Sequence, residues 1–236
     1  MKITVVTLFP KIFSEVLSTS ILDRAKDKKF VEYEVLDLRN FGEGERKTVD
    51  GRPFGGGPGM ILRADILASA VKAVKKPGSH VILMSASGKP FNQAKAWELS
   101  ELKNIIIICG HYEGVDQRFI DKYIDEEISI GDYILTGGEI PAMAVIDATV
   151  RLIPGVLKKP EATTEESFST FHLPSSTFQL LEYPQYTRPE TFEGKSVPEI
   201  LRSGNHAEIT KWRKEKAIEK TKKTRPDFLG AITQKG

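Results

Sequence analysis

Three glycine-bearing segments carry most of the chemical promise of this chain. The first is Arg52 to Met60, RPFGGGPGM, with four glycines in five positions. Glycine loses more backbone entropy on ordering than any other residue, so such a run cannot lie inside a helix or strand. It must be a loop, either a cap over a site or a tight connector. The second segment, Cys109 to Gly114 (CGHYEG), directly follows an apolar run, and the third, Ser129 to Pro141 (SIGDYILTGGEIP), leads into a helical pattern. Glycines in such places let backbone N–H and C=O groups approach a flat ring such as adenine closely. Any one of these loops could be a plain turn, but two of them carrying Tyr112, Glu113 and Asp132 argue for a site.

Other chemistries are poorly served. No G-x-G-x-x-G follows a strand, so the dinucleotide fingerprint fails. Gly194-Lys195-Ser196 resembles the end of a phosphate loop, but Pro189 stands where the leading glycine belongs. H-E-x-x-H is missing, and His80, His111, His172 and His206 form no ligand cluster in the sequence. The single cysteine, Cys109, cannot make an internal disulfide or a multi-cysteine zinc site. Its solitude points to a cytoplasmic setting. The opening MKITVVTLFPKIF reads as strand then helix, not as a signal peptide, and no apolar run approaches the length of a membrane span.

The elements that must position these loops alternate. Ile3 to Phe9, Tyr33 to Leu38, Val81 to Met84 and Ile105 to Cys109 read as strands, the last two as short apolar runs typical of parallel strands buried on both faces. Helical spacing covers Pro10 to Lys26, Ala64 to Val74, Asn92 to Leu102 and Glu139 to Ile153, where Pro154 and Gly155 stop it. The alternation predicts an α/β domain with a mostly parallel sheet, whose strand ends are the usual place for ligands. Residues 158–182 then change character and read as an interdomain linker rich in Pro, Ser, Thr and Glu. In 183–236, Asn205 is expected to cap a helix bearing Ile209, Trp212 and Ile218 beside Lys211, Arg213, Lys214 and Lys216.

Net charge is only +2, yet it is unevenly spread. Between Lys195 and Arg225 there are ten Lys/Arg against four Asp/Glu, whereas residues 1–194 hold 23 against 27. A basic tail on an acidic body suits a polyanionic partner or, equally, a solvated helix face.

Longer motifs add to this. LFP (Leu8 to Pro10), TVDGRPFGGGPGM (Thr48 to Met60), CGHYEGVDQR (Cys109 to Arg118) and IDEEISIGDYILTGGEIPAM (Ile124 to Met143) occur in that order. RLIPGVL (Arg151 to Leu157), EYPQYTRP (Glu182 to Pro189) and SGNHAEITKWR (Ser203 to Arg213) follow. Together they resemble the TrmD family of bacterial tRNA (guanine-N1)-methyltransferases, of the SPOUT class. The resemblance spans nearly the whole chain.

It implies a trefoil-knotted α/β domain over residues 1–157, an exception to the rarity of knots. It further implies a small all-helical tRNA-binding domain over 183–236, and a homodimer with active sites at the subunit interface. The methyl donor would be S-adenosylmethionine, bound bent in the knot. Its site would include Met84, Ser85, Gly110, Tyr112, Glu113, Ile130, Gly131, Asp132, Tyr133, Ile134, Leu135, Gly137, Gly138 and Pro141. The substrate would be the guanine just 3′ of the tRNA anticodon, position 37.

By the same resemblance Arg151 stabilises charge at guanine O6, and a linker carboxylate removes the N1 proton. The family pattern there is Asp-Ser-Phe, whereas this chain has Glu166-Ser167-Phe168, followed by an insertion at Phe171 to Phe178. Glu166 is the expected base, with Glu165 as a stand-in. Lys211, Arg213, Lys214 and Lys216 would meet tRNA phosphates, and Trp212 would anchor its own domain. Mg²⁺ would be shared with substrate and water, for the sequence offers no protein metal cage. Two alternatives stay open: a donor- and RNA-binding homologue with weakened catalysis, and a knotted methyltransferase acting on another RNA.

Overall fold

The computed structural model describes residues 1–159, 163, 166–173 and 176–229. The chain divides into two compact units, Met1–Lys158 and Lys159–Gly236.

The first unit is built on a five-stranded parallel sheet. Its strands are β1 (Lys2–Thr7), β2 (Glu32–Asp37), β5 (Ser79–Pro90), β6 (Asn104–Cys109) and β7 (Glu126–Ser129), in the order β2-β1-β6-β5-β7. Two further strands, β3 (Asp50–Gly51) and β4 (Ile61–Leu62), make a small antiparallel pair beside it. The apolar run of β6 shows why the central strands read as continuous hydrophobic stretches. Ile105, Ile107 and Cys109 point to one core, while Ile106 and Ile108 point to another on the opposite face. Successive side chains in a strand alternate faces, so burial on both sides demands apolar residues at every position.

Helices cover both faces. On one lie α1 (Ile12–Leu17), α2 (Ser20–Asp27), α4 (Gln93–Ser100) and α6 (Glu139–Val150), which bring Phe13, Leu22, Leu99, Val145 and Val150 onto the sheet. On the other, α3 (Ala64–Val74) and α5 (Gln117–Tyr123) contribute Leu67, Val71 and Phe119. Mixed α/β architecture with a parallel sheet is thus what the alternation predicts.

Several expectations need correction. The helix expected over Pro10 to Lys26 is two helices. Ser18 Oγ and Thr19 Oγ1 donate back to the carbonyls of Ser14 (2.6 Å) and Glu15 (2.5 Å), and Ser20 takes a φ of 54°. Hydroxyls that compete for backbone carbonyls in this way favour a break. The helix expected to reach Ile153 ends at Val150 and passes into turns, with Gly155 at φ 88°. Strand β7 lies in a stretch to which the sequence pattern assigns no element, because its four residues are too short a run for periodicity to speak.

The second unit is not all-helical, and the segment expected as a linker holds regular structure. Strands β8 (Ser169–Leu173) and β9 (Ser176–Leu180) form an antiparallel hairpin, and β10 (Thr191–Phe192) pairs with β11 (Lys195–Ser196). Phe and Leu stand at alternate positions in STFHL and STFQL, a strand pattern masked by the polar composition around it. Helix α7 (His206–Thr224) completes the unit. It is capped as expected, Asn205 Oδ1 accepting from the Glu208 N–H at 3.3 Å. Ala217 and Thr221 of α7 face Leu180 and Leu229, and Thr221 Oγ1 accepts from the Leu181 N–H at 2.9 Å.

Candidate donor and catalytic site

Sheet order decides where the loops meet. The chain passes from β6 to β7 across β5, so the segments that follow β6 and β7 flank the end of β5. There β5 bulges: Met84 and Lys89 both register with Ile128 of β7, and the residues between them loop out. Gly88 closes the bulge, and a Cβ there would stand 2.5 Å from the Ile128 nitrogen.

The loops are bonded to one another through backbone. The Gly138 N–H donates to the Gly110 carbonyl at 2.8 Å, and His111 bridges Gly137. A Cβ on Gly138 would lie 2.7 Å from Cys109 Cα and 2.9 Å from the Gly110 nitrogen, so only glycine permits this approach. Tyr112 adopts a left-handed φ of 60°, a conformation found disproportionately at ligand sites. The glycine-rich segment is tied in as well: Glu113 N–H donates to Met60 O (3.0 Å) and Leu62 N–H to Gly114 O (3.0 Å). Ser129 braces the third loop, its Oγ donating to Gly131 O (3.0 Å) and accepting from Gly131 N (3.2 Å).

Between these loops lies a cavity of about 430 Å³, within the usual range for small-molecule sites. Met84, Ser85, Gly110, Tyr112, Glu113, Ile130, Gly131, Tyr133, Ile134, Leu135, Gly137, Gly138 and Pro141 all line it. Asp132 alone of the expected donor residues stands outside the lining. The structure adds residues that the motifs left unmarked, chiefly His111, Glu127 and Thr136. Glu127 could have been found from its place one residue before the buried Ile128, had β7 been read as a strand.

The chemistry of this lining is specific. Ile130, Leu135 and Pro141 offer flat apolar contact, exposed glycine backbone offers hydrogen bonds, and Glu113 and Glu127 are carboxylates. Among the described residues, no Lys or Arg belongs to the lining. A ligand with a flat ring and positive charge would fit this donor set. Cys109, beneath the loops, is fully buried, and burial followed by the charge of Glu139 pushes its thiol well up. It is therefore a neutral packing group rather than a nucleophile.

The expected catalytic residues fall in different units. Arg151 caps the C-terminus of α6, half-buried, its N–H donating to Asp147 O at 3.3 Å. Glu166, also half-buried, belongs to the second unit, just before the β8–β9 hairpin. Its neighbour Ser167 accepts from the Glu182 N–H (3.0 Å), and Phe168, at φ 72°, donates its N–H to Leu180 O (2.9 Å). The residues after Glu166 are thus tied to the end of β9 and the segment that follows it. Glu165 lies outside the described residues.

The four expected phosphate contacts divide. Lys211 and Lys214 are exposed on α7. Arg213 instead stacks over the Tyr183 ring at 4.8 Å with its Nε buried, and Lys216 donates to Glu219 at 2.6 Å. Those two cations are engaged inside their own unit. Trp212 is half-buried against Tyr186, ring centroids 6.3 Å apart. Among the described residues no three His, Cys, Asp or Glu side chains gather as a metal site would require, and no helix is long and apolar enough to cross a membrane.

Comparison with known proteins agrees across the chain. Residues 1–231 match the family model described as tRNA (Guanine-1)-methyltransferase TrmD. A tRNA (guanine-N(1)-)-methyltransferase of Dictyoglomus turgidum is 51% identical over 229 residues, covering 97% of this chain and 90% of that protein. One from Caldanaerobacter subterraneus is 51% identical over 226 residues, with 95% and 90% covered. One from Ruminiclostridium cellulolyticum is 47% identical over 241 residues, with 100% and 99% covered.

Proposed function

The chain belongs to the TrmD family and is a tRNA (guanine-N1)-methyltransferase, and from that premise we propose that the cavity at the ends of β5, β6 and β7 binds S-adenosylmethionine. The observation that carries this reading is the convergence of three strand-end loops on one space lined by carboxylates and, among the described residues, by no Lys or Arg. The donor bears a positive sulfonium and a flat adenine, which suit Glu113, Glu127 and the apolar Ile130–Leu135 wall. When bound, it supplies an electrophilic methyl group.

What remains for the protein is to make guanine N1 a nucleophile. N1 carries a proton and is a poor acceptor until that proton leaves. In this reading Glu166 takes it, from a stretch of chain tied down by the bonds of Ser167 Oγ and the Phe168 N–H. Negative charge then grows on guanine O6, where the Arg151 guanidinium stabilises it. Glu166 has one methylene more than the aspartate of the family pattern, and keeps the carboxylate that the step requires. The target is the guanine 3′ of the anticodon, position 37, extruded from the stacked loop so that the enzyme can reach N1.

The same reading makes the active enzyme a cytoplasmic homodimer, in which one subunit's Glu166 serves its partner's cavity. Exposed apolar side chains support this: Ile134 is 83% and Ile140 52% solvent-accessible, with Phe9 and Ile12 also exposed. Large apolar side chains left this exposed on a single subunit suit a surface that a partner covers. The passage from β6 to β7 across the bulged β5 is compatible with a trefoil knot. Lys211 and Lys214 provide phosphate contacts from α7. Mg²⁺ is left to substrate oxygens and water.

Incubation with labelled S-adenosylmethionine and unmodified tRNA carrying G36–G37, followed by nuclease digestion, tests the reading. N1-methylguanosine formed only when G37 is present is expected. Label in another nucleoside, or donor binding without transfer, would overturn it.

A further inference from the structure

One buried polar cluster is not used by the chemistry above. Glu139 opens α6 and is only 5% exposed. Its Oε1 accepts from Thr7 Oγ1 at 2.7 Å, across 132 residues of sequence, and Thr7 Oγ1 in turn accepts from the Phe9 N–H at 2.9 Å. Thr7 is wholly buried at the end of β1. The carboxylate is thus pinned to the floor of the sheet.

The other side of this cluster is His111. Its Nδ1 is buried and makes no hydrogen bond. Its ring meets Phe9 and Tyr112 edge-on, at 4.9 and 4.7 Å between centroids. Gly137 shows where Nδ1 points. A Cβ built there would stand 2.4 Å from Glu139 Oε2 and 2.7 Å from His111 Nδ1. Both atoms therefore converge on the space that a side chain at position 137 would fill. The carboxylate oxygen that converges with Nδ1 on this space is Glu139 Oε2, which makes it the partner nearest to hand. A buried, unpaired ring nitrogen is costly, and a carboxylate beside it favours the tautomer that carries the proton on Nδ1.

We propose that His111 and Glu139 form an internal latch, in which the Nδ1–H of His111 donates to Glu139 Oε2 and so locks the loop after β6 against the loop after β7 when the donor is bound. Both are positioning residues, acting on the cavity through the spacing of its walls. Gly137 is glycine in this account because any side chain would wedge the latch open. The inference rests on the donor reading of the cavity.

Calorimetric titration of S-adenosylmethionine into the full-length protein tests it, with three variants. His111→Phe keeps the ring packing and removes the nitrogen. His111→Asn sets an amide N–H near the place of Nδ1. Gly137→Ala wedges the gap. Since a hydrogen bond to a charged group is being lost, His111→Phe should weaken donor affinity by between about tenfold and a hundredfold. The donor KM should rise in step, kcat at saturating donor should change far less, and thermal melting should stay near that of the parent. His111→Asn should recover most of the affinity, and Gly137→Ala should resemble His111→Phe. Parent-like donor binding by His111→Phe, or equal weakness of the Phe and Asn variants, would overturn the latch alone. Absence of donor binding by the parent would instead overturn the cavity assignment.

Discussion

Gly138→Ala is the sharpest single perturbation of this site. The backbone at Gly138 sits at φ −81° and ψ −2°, which alanine adopts freely, so the penalty is purely steric. The new Cβ would lie 2.7 Å from Cys109 Cα, 2.9 Å from Gly110 N and 3.1 Å from Cys109 C. These are backbone atoms at the end of β6, a strand buried on both faces, and cannot swing aside. Ordinary contact begins near 3.4 Å, so the loop must open by about 0.7 Å from the 2.7 Å starting point. Overpacking of this kind costs about 1–3 kcal/mol, which in a domain of this size lowers Tm by roughly 3–10 °C. Displacement of a binding wall by nearly 1 Å should weaken donor affinity tenfold or more. Calorimetry reads both quantities on the same sample. Gly55→Ala is the control, for Gly55 has φ 86° but nothing within 4 Å, and it should cost only about 1 kcal/mol of backbone strain. A Gly138→Ala protein that melts and binds donor like its parent would refute the steric argument.

Further predictions concern the other parts of the molecule. Glu166→Gln should abolish methyl transfer while leaving S-adenosylmethionine binding intact by calorimetry; unchanged turnover would mean another group is the base. Lys211→Ala with Lys214→Ala should weaken tRNA binding uniformly and lower the log–log salt slope by about 2, whereas an Arg213→Ala variant should instead lose thermal stability through its Tyr183 contact. Burial, followed by the charges of Asp147 and Asp23, holds the Tyr33 phenol well above the usual tyrosine value. A group raised on folding contributes fully below its unfolded pKa, so stability should decline as pH rises above about 10. Tyr33→Phe should flatten that decline in melts from pH about 9 to about 11, and an identical slope would show that Tyr33 does not contribute.

Much of the first unit was legible from residue patterns, for physical reasons. Runs such as Ile105 to Cys109 can be satisfied only between two helical layers, and in the third glycine segment Gly138 marks a backbone approach that no Cβ tolerates. What escaped was whatever depends on partners distant in sequence. Nothing local signals that Glu139 will bond Thr7 or face His111. Strand β7 was hidden by its brevity. The β8–β9 hairpin was hidden by Ser- and Thr-rich composition, and that same composition obscured how the hairpin braces Ser167 and Phe168 beside Glu166. The charge of Arg213 is visible in the sequence, whereas its stacking on Tyr183, thirty residues away, is not.

Backbone hydrogen exchange with and without S-adenosylmethionine addresses the assignment of the cavity most directly. Added donor should slow exchange at residues 84–87, 110–114 and 130–138, the three loops that meet at the ends of β5, β6 and β7. Protection concentrated elsewhere, or no change in these three loops at saturating donor, would contradict it.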